Sequence, residues 1–212
     1  MPHFSRKYLF KGFKFNRFIF FLTLNDVFTF GLYTVLSVLA GLYLAEKLQT
    51  DVVAVVGYGV SIYWLVRASF QIPIGLISDR IHGFFDEILF LAIGNCLMGF
   101  PYLLYPLIDN IGFYYVLQII FGIGVAFNII SWRKLFAKHL DRNKEGIEYG
   151  IYELIMGIAI VIFGLIGGKL ASLSQEYFEY VIVGIGVIMI SSSLLSIGLN
   201  VENQKAIETQ SK

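Results

Sequence analysis

Six long apolar stretches divide the chain, and only short polar connections separate them. A helix needs about 20 residues to cross the hydrocarbon core of a bilayer, and each stretch reaches that length. The pattern predicts an all-α integral membrane protein with six transmembrane helices. Their expected ranges are 18–44, 52–77, 88–108, 113–136, 147–172 and 177–199.

The composition agrees with a chain that is dissolved in a bilayer. Hydrophobic residues make up 57% of the sequence and charged residues only 15%, whereas soluble domains have about 25% charged residues. The single cysteine, Cys96, excludes an intrachain disulfide. We expect one six-helix membrane domain over 18–199, with a basic arm over 1–17 before it and a polar tail over 200–212 after it.

Lysine and arginine residues lie mostly on one side of the predicted membrane. They concentrate in the N-terminal arm, at the end of the fourth stretch and the loop after it, and in the tail, whereas the opposite side has only Lys47 and Lys169. Basic residues in short loops favour the cytoplasmic side. We therefore expect a multi-pass protein of the cell (inner) membrane with both termini in the cytoplasm. The basic segments fit anionic lipid headgroups and give no support for nucleic-acid binding.

The connection between the second and third stretches contains a motif. Gly75 is followed, after three residues, by Asp79 and Arg80. This arrangement resembles the signature loop of the major facilitator superfamily, although Gly83 comes one place late and "FFDE" replaces the family's basic residues. The glycine-rich fourth stretch and the paired glycines that end the fifth stretch are similar to the same family.

The resemblance covers nearly the whole chain but only half of the family's fold. Family members have two six-helix halves, with the substrate bound between them near the middle of the membrane. It implies a secondary transporter of a small-molecule substrate, with or without a coupling ion. Two copies related by a twofold axis along the membrane normal would complete the fold, so we expect a homodimer that works by alternating access. Two alternatives stay open: a half that pairs with a different chain, and a membrane scaffold that transports nothing.

Two charged residues lie deep inside predicted helices. Asp26 is about 13 Å along the first stretch, and Arg67 is similarly deep in the second. A charge at the centre of a membrane helix costs about 2.5 to 3.5 kcal/mol on insertion scales, so it tends to mark a function or a partner. These residues are expected either to form a structural ion pair or to bind substrate or a proton. Helical periodicity puts Asp26, Thr29 and Tyr33 on one face, beside Asn25, and that face would line a cavity.

The resemblance nominates further cavity residues in the fourth stretch. In the family, helices one and four face the central cavity, which implies that Gln118, Asn128 and Trp132 join the residues of the first stretch. Gln118 stands where the family usually has arginine, so the proton-coupling role of that arginine does not carry over. Hydrogen bonds between helices are an alternative role for Gln118 and Asn128. The expected pathway residues are Asn25, Asp26, Tyr33, Arg67, Gln118, Asn128 and Trp132.

The resemblance also implies a gate at the cytoplasmic end, where the motif would pack against the fifth helix of the other copy. Gly75 would let the two backbones approach, and Asp79 would meet the positive end of that helix. Arg80 would then reach Glu148 or Glu153 across the interface. Alternatively, Asp79 caps the third helix within its own chain.

Glycines recur along the fifth stretch. Gly150, Gly157 and Gly164 are spaced by seven residues, and Gly164 with Gly168 makes a GxxxG pattern. Small residues in a stripe favour close packing of helices, and we expect this helix to pack closely against another.

The chain lacks the motifs of an enzyme or of a cofactor site. His3, His82 and His139 lie in separate segments without the spacing of metal ligands, so we expect no catalytic residue, metal or cofactor. The segment "VVGYG" at 55–59 resembles a potassium filter, but no pore helix fits before it. The predicted function is therefore transport, with the scaffold as the alternative.

Overall fold

The computed structural model describes residues 16–48, 51–81 and 84–210. Within these ranges the chain is helical and contains no strand, and six helices are long and apolar enough to cross a membrane. The six-helix prediction is confirmed. Residues 1–15 of the expected N-terminal arm, Gly83 of the motif and the last two residues of the tail lie outside the described ranges. The helices are α1 (Arg17–Leu48), α2 (Val52–Arg80), α3 (Phe84–Leu103), α4 (Ile111–His139), α5 (Glu145–Ala171) and α6 (Gln175–Gln210).

Most of these helices extend beyond the apolar stretches that predicted them. α2 continues through the motif to Arg80, so the charged pair forms the last turn of a helix instead of lying in a bend. α6 continues to Gln210, well past the expected end at residue 199. Hydropathy marks where a chain leaves the lipid, whereas a helix ends where its backbone hydrogen bonds end. Asn16 and Asn110 cap α1 and α4 by accepting from Phe18 N at 2.9 Å and Phe113 N at 2.8 Å.

Three helices, α3, α4 and α6, form the tightly packed centre of the bundle. A Cβ atom added at Gly99 of α3 would lie 2.5 Å from the carbonyl oxygen of Gly186 in α6. A Cβ atom at Gly94 would likewise lie 2.5 Å from the backbone nitrogen of Asn128 in α4. Glycine at these positions lets the backbones approach closely, as small residues do between membrane helices.

α2 and α5 lie at the periphery. The buried residues of α5 are Glu148, Met156 and Gly167 only, although the helix has 27 residues. Large apolar side chains such as Leu154 and Leu165 are exposed along it. Both helices therefore present long faces that the described part of the chain does not cover.

The helices alternate in direction, so the bundle has two ends. At the end where α1 begins, called here the Arg17 end, Asn16 Nδ2 donates to the carbonyl oxygen of His139 at 2.9 Å. At the opposite end, called the Leu48 end, Lys47 Nζ donates to the carbonyl oxygen of Pro106, and Tyr43 Oη donates to Glu179 Oε1 at 2.7 Å.

A π turn over Val27–Gly31 interrupts α1. Such a turn inserts about one extra residue and rotates the rest of the helix by about 100° relative to a regular helix. Asp26 before the turn therefore faces α5, whereas Tyr33 after it packs on Phe121 of α4, with ring centroids 4.9 Å apart. The expectation that Asp26 and Tyr33 share one face is wrong, because it assumed an unbroken period of 3.6 residues.

Candidate functional site

A cavity of about 520 Å³ lies between α1, α4 and α5, and it extends from the middle of the bundle towards the Arg17 end. Its wall combines aromatic rings with charged and amide side chains. The lining residues are Asp26, Phe30, Asn128, Ile129, Trp132, Arg133, Ala137, Tyr149, Tyr152 and Glu153.

Asp26 is the deepest carboxyl group of this cavity and is only 2% exposed. Its Oδ2 atom accepts a hydrogen bond of 2.6 Å from Tyr152 Oη. In the described part of the chain, no lysine or arginine lies within ion-pair distance of this carboxyl group. Its observed partner is therefore a neutral phenol.

The ion pair expected between Asp26 and Arg67 does not form. Arg67 Nη1 instead donates to Tyr63 Oη at 2.8 Å, and its guanidinium lies 4.3 Å from the ring centroid of Trp64. Both partners of Arg67 are on its own helix, one turn away or less. Equal depth on neighbouring helices did not bring the two charges together, because α1 turns Asp26 towards α5.

Aromatic rings form one wall of the cavity. The ring of Trp132 lies 4.9 Å from that of Tyr152 and 4.6 Å from that of Phe136, measured between centroids. Trp132 Nε1 donates to the carbonyl oxygen of Leu22 at 3.3 Å, which fixes the indole against α1. Because three helices hold this ring, the wall is preformed.

Two opposite charges lie at the outer part of the cavity. Arg133 of α4 and Glu153 of α5 both line it, and both are exposed. Their formal charges offset each other there. Among the described residues, the deeper part around Asp26 contains an acidic side chain and no basic one.

A row of buried amides runs from α6 to the cavity. Asn25 Nδ2 donates to the carbonyl oxygen of Ser192 at 2.8 Å, Asn95 Nδ2 donates to Asn25 Oδ1 at 3.3 Å, and Asn128 Nδ2 donates to Asn95 Oδ1 at 2.6 Å. Ser196 Oγ accepts from both Asn25 and Asn95. The last oxygen, Asn128 Oδ1, is buried and has no hydrogen-bond partner.

The structure therefore brings three of the seven expected pathway residues to one cavity, namely Asp26, Asn128 and Trp132. Asn25 is fully buried in the amide row, and Gln118 Nε2 donates to Tyr105 Oη at 3.4 Å outside the cavity. The alternative role of hydrogen bonding outside its own helix describes Gln118, and it describes Asn128 in part, because Asn128 Oδ1 has no partner.

Charged side chains of the motif region join α2, α3 and α4 at the Arg17 end. Lys134 Nζ contacts Asp79 Oδ1 at 3.0 Å and Glu87 Oε1 at 3.2 Å, and it also donates to the carbonyl oxygen of Ser78. Lys138 Nζ contacts the same Glu87 oxygen at 2.6 Å. Asp79 is thus held by α4 of its own chain. This contact differs from the expected one with a second copy, and it also differs from the alternative, in which Asp79 caps α3.

The remaining gate residues have different surroundings. No atom of the described residues lies within 4 Å of a Cβ atom added at Gly75, so they leave that part of α2 open to a neighbour. Glu148 is fully buried and accepts from Asp141 N at 2.9 Å, so it is not presented to Arg80 of another copy. Glu153, the other expected partner of Arg80, is exposed at the cavity.

Several residues of these sites were not expected from the sequence. Tyr152, Arg133 and Asn95 belong to the cavity and the amide row, while Lys134 and Glu87 belong to the charged contact. The i and i+4 spacing of Lys134 and Lys138 on α4, together with a glutamate at the start of the preceding helix α3, was a usable signal for the charged contact. Among the described residues, no group of three or more acidic, histidine or cysteine side chains fits a metal ion.

A family model of the Major Facilitator Superfamily matches residues 22–212. No curated protein sequence and no solved structure matches the chain. The matched region includes most of α1 and all of the other helices, which agrees with one six-helix half of that fold. The chain belongs to the Major Facilitator Superfamily, a family of transporters, and is a multi-pass membrane protein.

Proposed function

We propose that the chain is one half of a secondary-active transporter of a small solute and works as a parallel homodimer by alternating access. Both termini would face the cytoplasm of a cell (inner) membrane, which places the Arg17 end on the cytoplasmic side. The single observation that carries the proposal is the cavity between α1, α4 and α5, because there the described part of the chain offers polar groups to a solute.

The character of this cavity supports transport over a scaffold role. A scaffold requires only a dry, apolar contact with its partner. The observed cavity contains Asp26, Arg133 and Glu153, each of which is costly inside a membrane. Residues of that kind inside a membrane protein mark pathways for solutes or ions.

The uncovered faces of α2 and α5 support the dimer. A Cβ atom added at Gly75 or Gly57 of α2, or at Gly150 or Gly168 of α5, would meet nothing within 4 Å. In the described part of its own chain, no helix therefore packs closely against these glycines of α5, although close packing was expected. A second copy would supply that helix.

The depths of these glycines match between the two helices. Gly75 lies five residues before the end of α2, and Gly150 lies five residues after the start of α5, both near the Arg17 end. Gly57 and Gly168 lie at similar depths near the Leu48 end. A twofold axis along the membrane normal would set α2 of one copy antiparallel to α5 of the other, with these glycines opposite each other.

α5 would couple this interface to the cavity. It contributes Tyr149, Tyr152 and Glu153 to the cavity, and it buries few residues in its own bundle. A shift of α5 against the partner would therefore change access to Asp26 without disrupting the centre formed by α3, α4 and α6.

Cross-linking tests the dimer. With Cys96 replaced by serine, Gly75→Cys on one tagged copy and Gly150→Cys on a second tagged copy should form an intermolecular disulfide in membranes. The matched control pairs Gly75→Cys with Gly168→Cys, whose positions lie at opposite ends and should not react. Equal yields from the two pairs, or no product linking the two tags, would refute the parallel homodimer.

A solute-uptake assay separates transport from the scaffold role. Reduced dimers, without the cross-link, that take up no member of a broad panel of labelled small solutes into liposomes would support a scaffold. Uptake that stops when the Gly75 and Gly150 cysteines are oxidised would support alternating access.

A further inference from the structure

We propose that the cavity binds a protonated organic amine with an apolar group. Asp26 and Asn128 Oδ1 would accept hydrogen bonds from the ammonium, and the rings of Trp132 and Tyr152 would pack against the apolar group. The inference rests on the proposed function, because it names the substrate class of the same cavity.

The amide row determines which atom Asn128 offers. The carbonyl oxygen of Ser192 can only accept, so Asn25 must turn its nitrogen towards it and its oxygen towards Asn95. Asn95 then presents its own oxygen to the nitrogen of Asn128. Every amide in the row is oriented from one backbone carbonyl, and Asn128 is left with an oxygen that lacks a donor.

A buried acceptor without a partner has lost its hydrogen bond to water, so a ligand that supplies a donor regains that free energy. Asn128 and Asp26 are both buried, and both line the cavity. The deep part of the cavity therefore offers a carboxylate and an amide oxygen. A protonated primary or secondary amine has at least two N–H donors, which matches both.

The distribution of charge favours a cation. Arg133 and Glu153 offset each other at the outer part of the cavity, whereas Asp26 has no basic side chain within ion-pair distance in the described part of the chain. An anion would be repelled by this carboxylate, and a neutral solute would leave it without a counter-charge. The nearby aromatic faces attract cations further.

Other cations fit the site less well. The described residues contain no cluster of three acidic, histidine or cysteine side chains for a metal ion. A quaternary ammonium has no N–H group to offer Asn128 Oδ1. The ligand needs an apolar group because the rings of Phe30, Trp132 and Tyr152 line the cavity. A small inorganic ion would not fill the space against these rings.

Fluorescence of Trp132 tests the proposal directly. The chain has two tryptophans, and Trp64 lies on α2 outside the cavity, so Trp64→Phe leaves Trp132 as the sole reporter. The purified Trp64→Phe protein in a nonionic detergent is titrated with 2-phenylethylammonium, phenylacetate and 2-phenylethanol. We expect saturable quenching by the ammonium, weaker quenching by the alcohol and none by phenylacetate.

Two variants in the Trp64→Phe background assign the acceptors. Asp26→Asn keeps the size of the side chain and removes its charge, and Asn128→Leu removes the amide oxygen at similar volume. Each should weaken binding of the ammonium about ten- to hundredfold, which is the loss of one hydrogen bond to a charged group. Binding of 2-phenylethanol should change much less. Gel filtration and helical circular dichroism verify that both variants fold.

If a cavity variant fails to fold, the comparison of the three ligands still tests the proposal, because the Trp64→Phe protein keeps every cavity residue. Phenylacetate binding as tightly as the ammonium, sodium ion alone producing the fluorescence change, or Asp26→Asn binding the ammonium normally would each overturn the proposal. The binding assay needs neither a dimer nor transport. A failed cross-link with intact amine binding would thus reject the dimer alone, whereas uptake of another solute without amine binding would reject this inference alone.

Discussion

Asp26 and Arg67 show two ways of keeping an ionisable side chain inside a membrane bundle. Asp26 is paired with the phenol of Tyr152 on another helix, and Arg67 is held by Tyr63 and Trp64 on its own helix. Among the residues that the structure describes, neither arrangement uses an opposite charge. Each therefore leaves the charge available for a ligand, or for a group that approaches from outside the described chain.

Double-mutant cycles in the free energy of unfolding should separate the two residues. Asp26→Asn and Arg67→Gln share no partner, so their effects should add within about 0.5 kcal/mol. Asp26→Leu removes the acceptor and Tyr152→Phe the donor of one hydrogen bond, so their effects should be non-additive by about 1 kcal/mol or more. Unfolding of the protein in mixed detergent micelles provides the measurement. Additivity in the Tyr152 cycle would contradict the bond, and strong coupling in the Arg67 cycle would restore the ion pair.

At the scale of elements, the contacts of a helix are decided by its local geometry as much as by its apolar face. The π turn of α1 redirects everything after Asp26, and the glycines of α3 and α6 bring two backbones together. Both features are small changes in chain geometry. They determine which helices become neighbours and which, like α5, stay at the periphery.

Alanine at two glycines should have opposite effects. Gly99→Ala would drive a methyl group against the backbone of Gly186 and should lower the free energy of unfolding by about 1 to 3 kcal/mol. Gly41→Ala, in α1, meets nothing within 4 Å and should raise it by up to about 1 kcal/mol, because alanine favours a helix. Thermal unfolding followed by helical circular dichroism distinguishes these outcomes. Equal effects at both positions would contradict the close contact between α3 and α6.

Hydropathy was sufficient to predict the six helices, because crossing the bilayer imposes a minimum apolar length. It was not sufficient for the site. Asp26 was identifiable as a charge in an apolar run, but its partner Tyr152 was not, because a π turn leaves no mark in residue spacing. Asn95 was missed for a similar reason, since a single amide in an apolar helix does not reveal which neighbour it faces. The family resemblance brought in Asn128 and Trp132, which apolar periodicity alone does not distinguish from core residues.

At the scale of the whole molecule, the bundle has a covered centre and two uncovered sides. α3, α4 and α6 are packed through glycine contacts, whereas α2 and α5 carry glycines that touch nothing in the described chain. In the proposed dimer these two sides meet. The cavity would then lie next to the interface, with α5 as the shared element.

A bulky residue on the open face of α5 should prevent pairing without unfolding the chain. Gly157→Leu has free space within its own bundle, so the helical content and the monomer should persist. Association of copies should weaken about tenfold or more, because the glycine no longer permits close approach of the partner. Gly41→Leu, also in free space but on α1, is the matched control and should leave association unchanged. Fluorescence transfer between labelled copies in liposomes measures both, and equal behaviour of the two variants would exclude α5 from the interface.

The amide row also bears on how the protein can evolve. Its direction originates at the backbone carbonyl of Ser192, not at a side chain, and a backbone carbonyl is present whichever residue occupies that position. Drift at position 192 therefore leaves the polarity of the row intact, provided that the helix persists. Reversing the polarity of the row requires replacement of Asn25, Asn95 or Asn128 themselves. Many single substitutions can thus change the shape of the cavity. Few of them would turn a pocket that binds hydrogen-bond donors into one that binds acceptors.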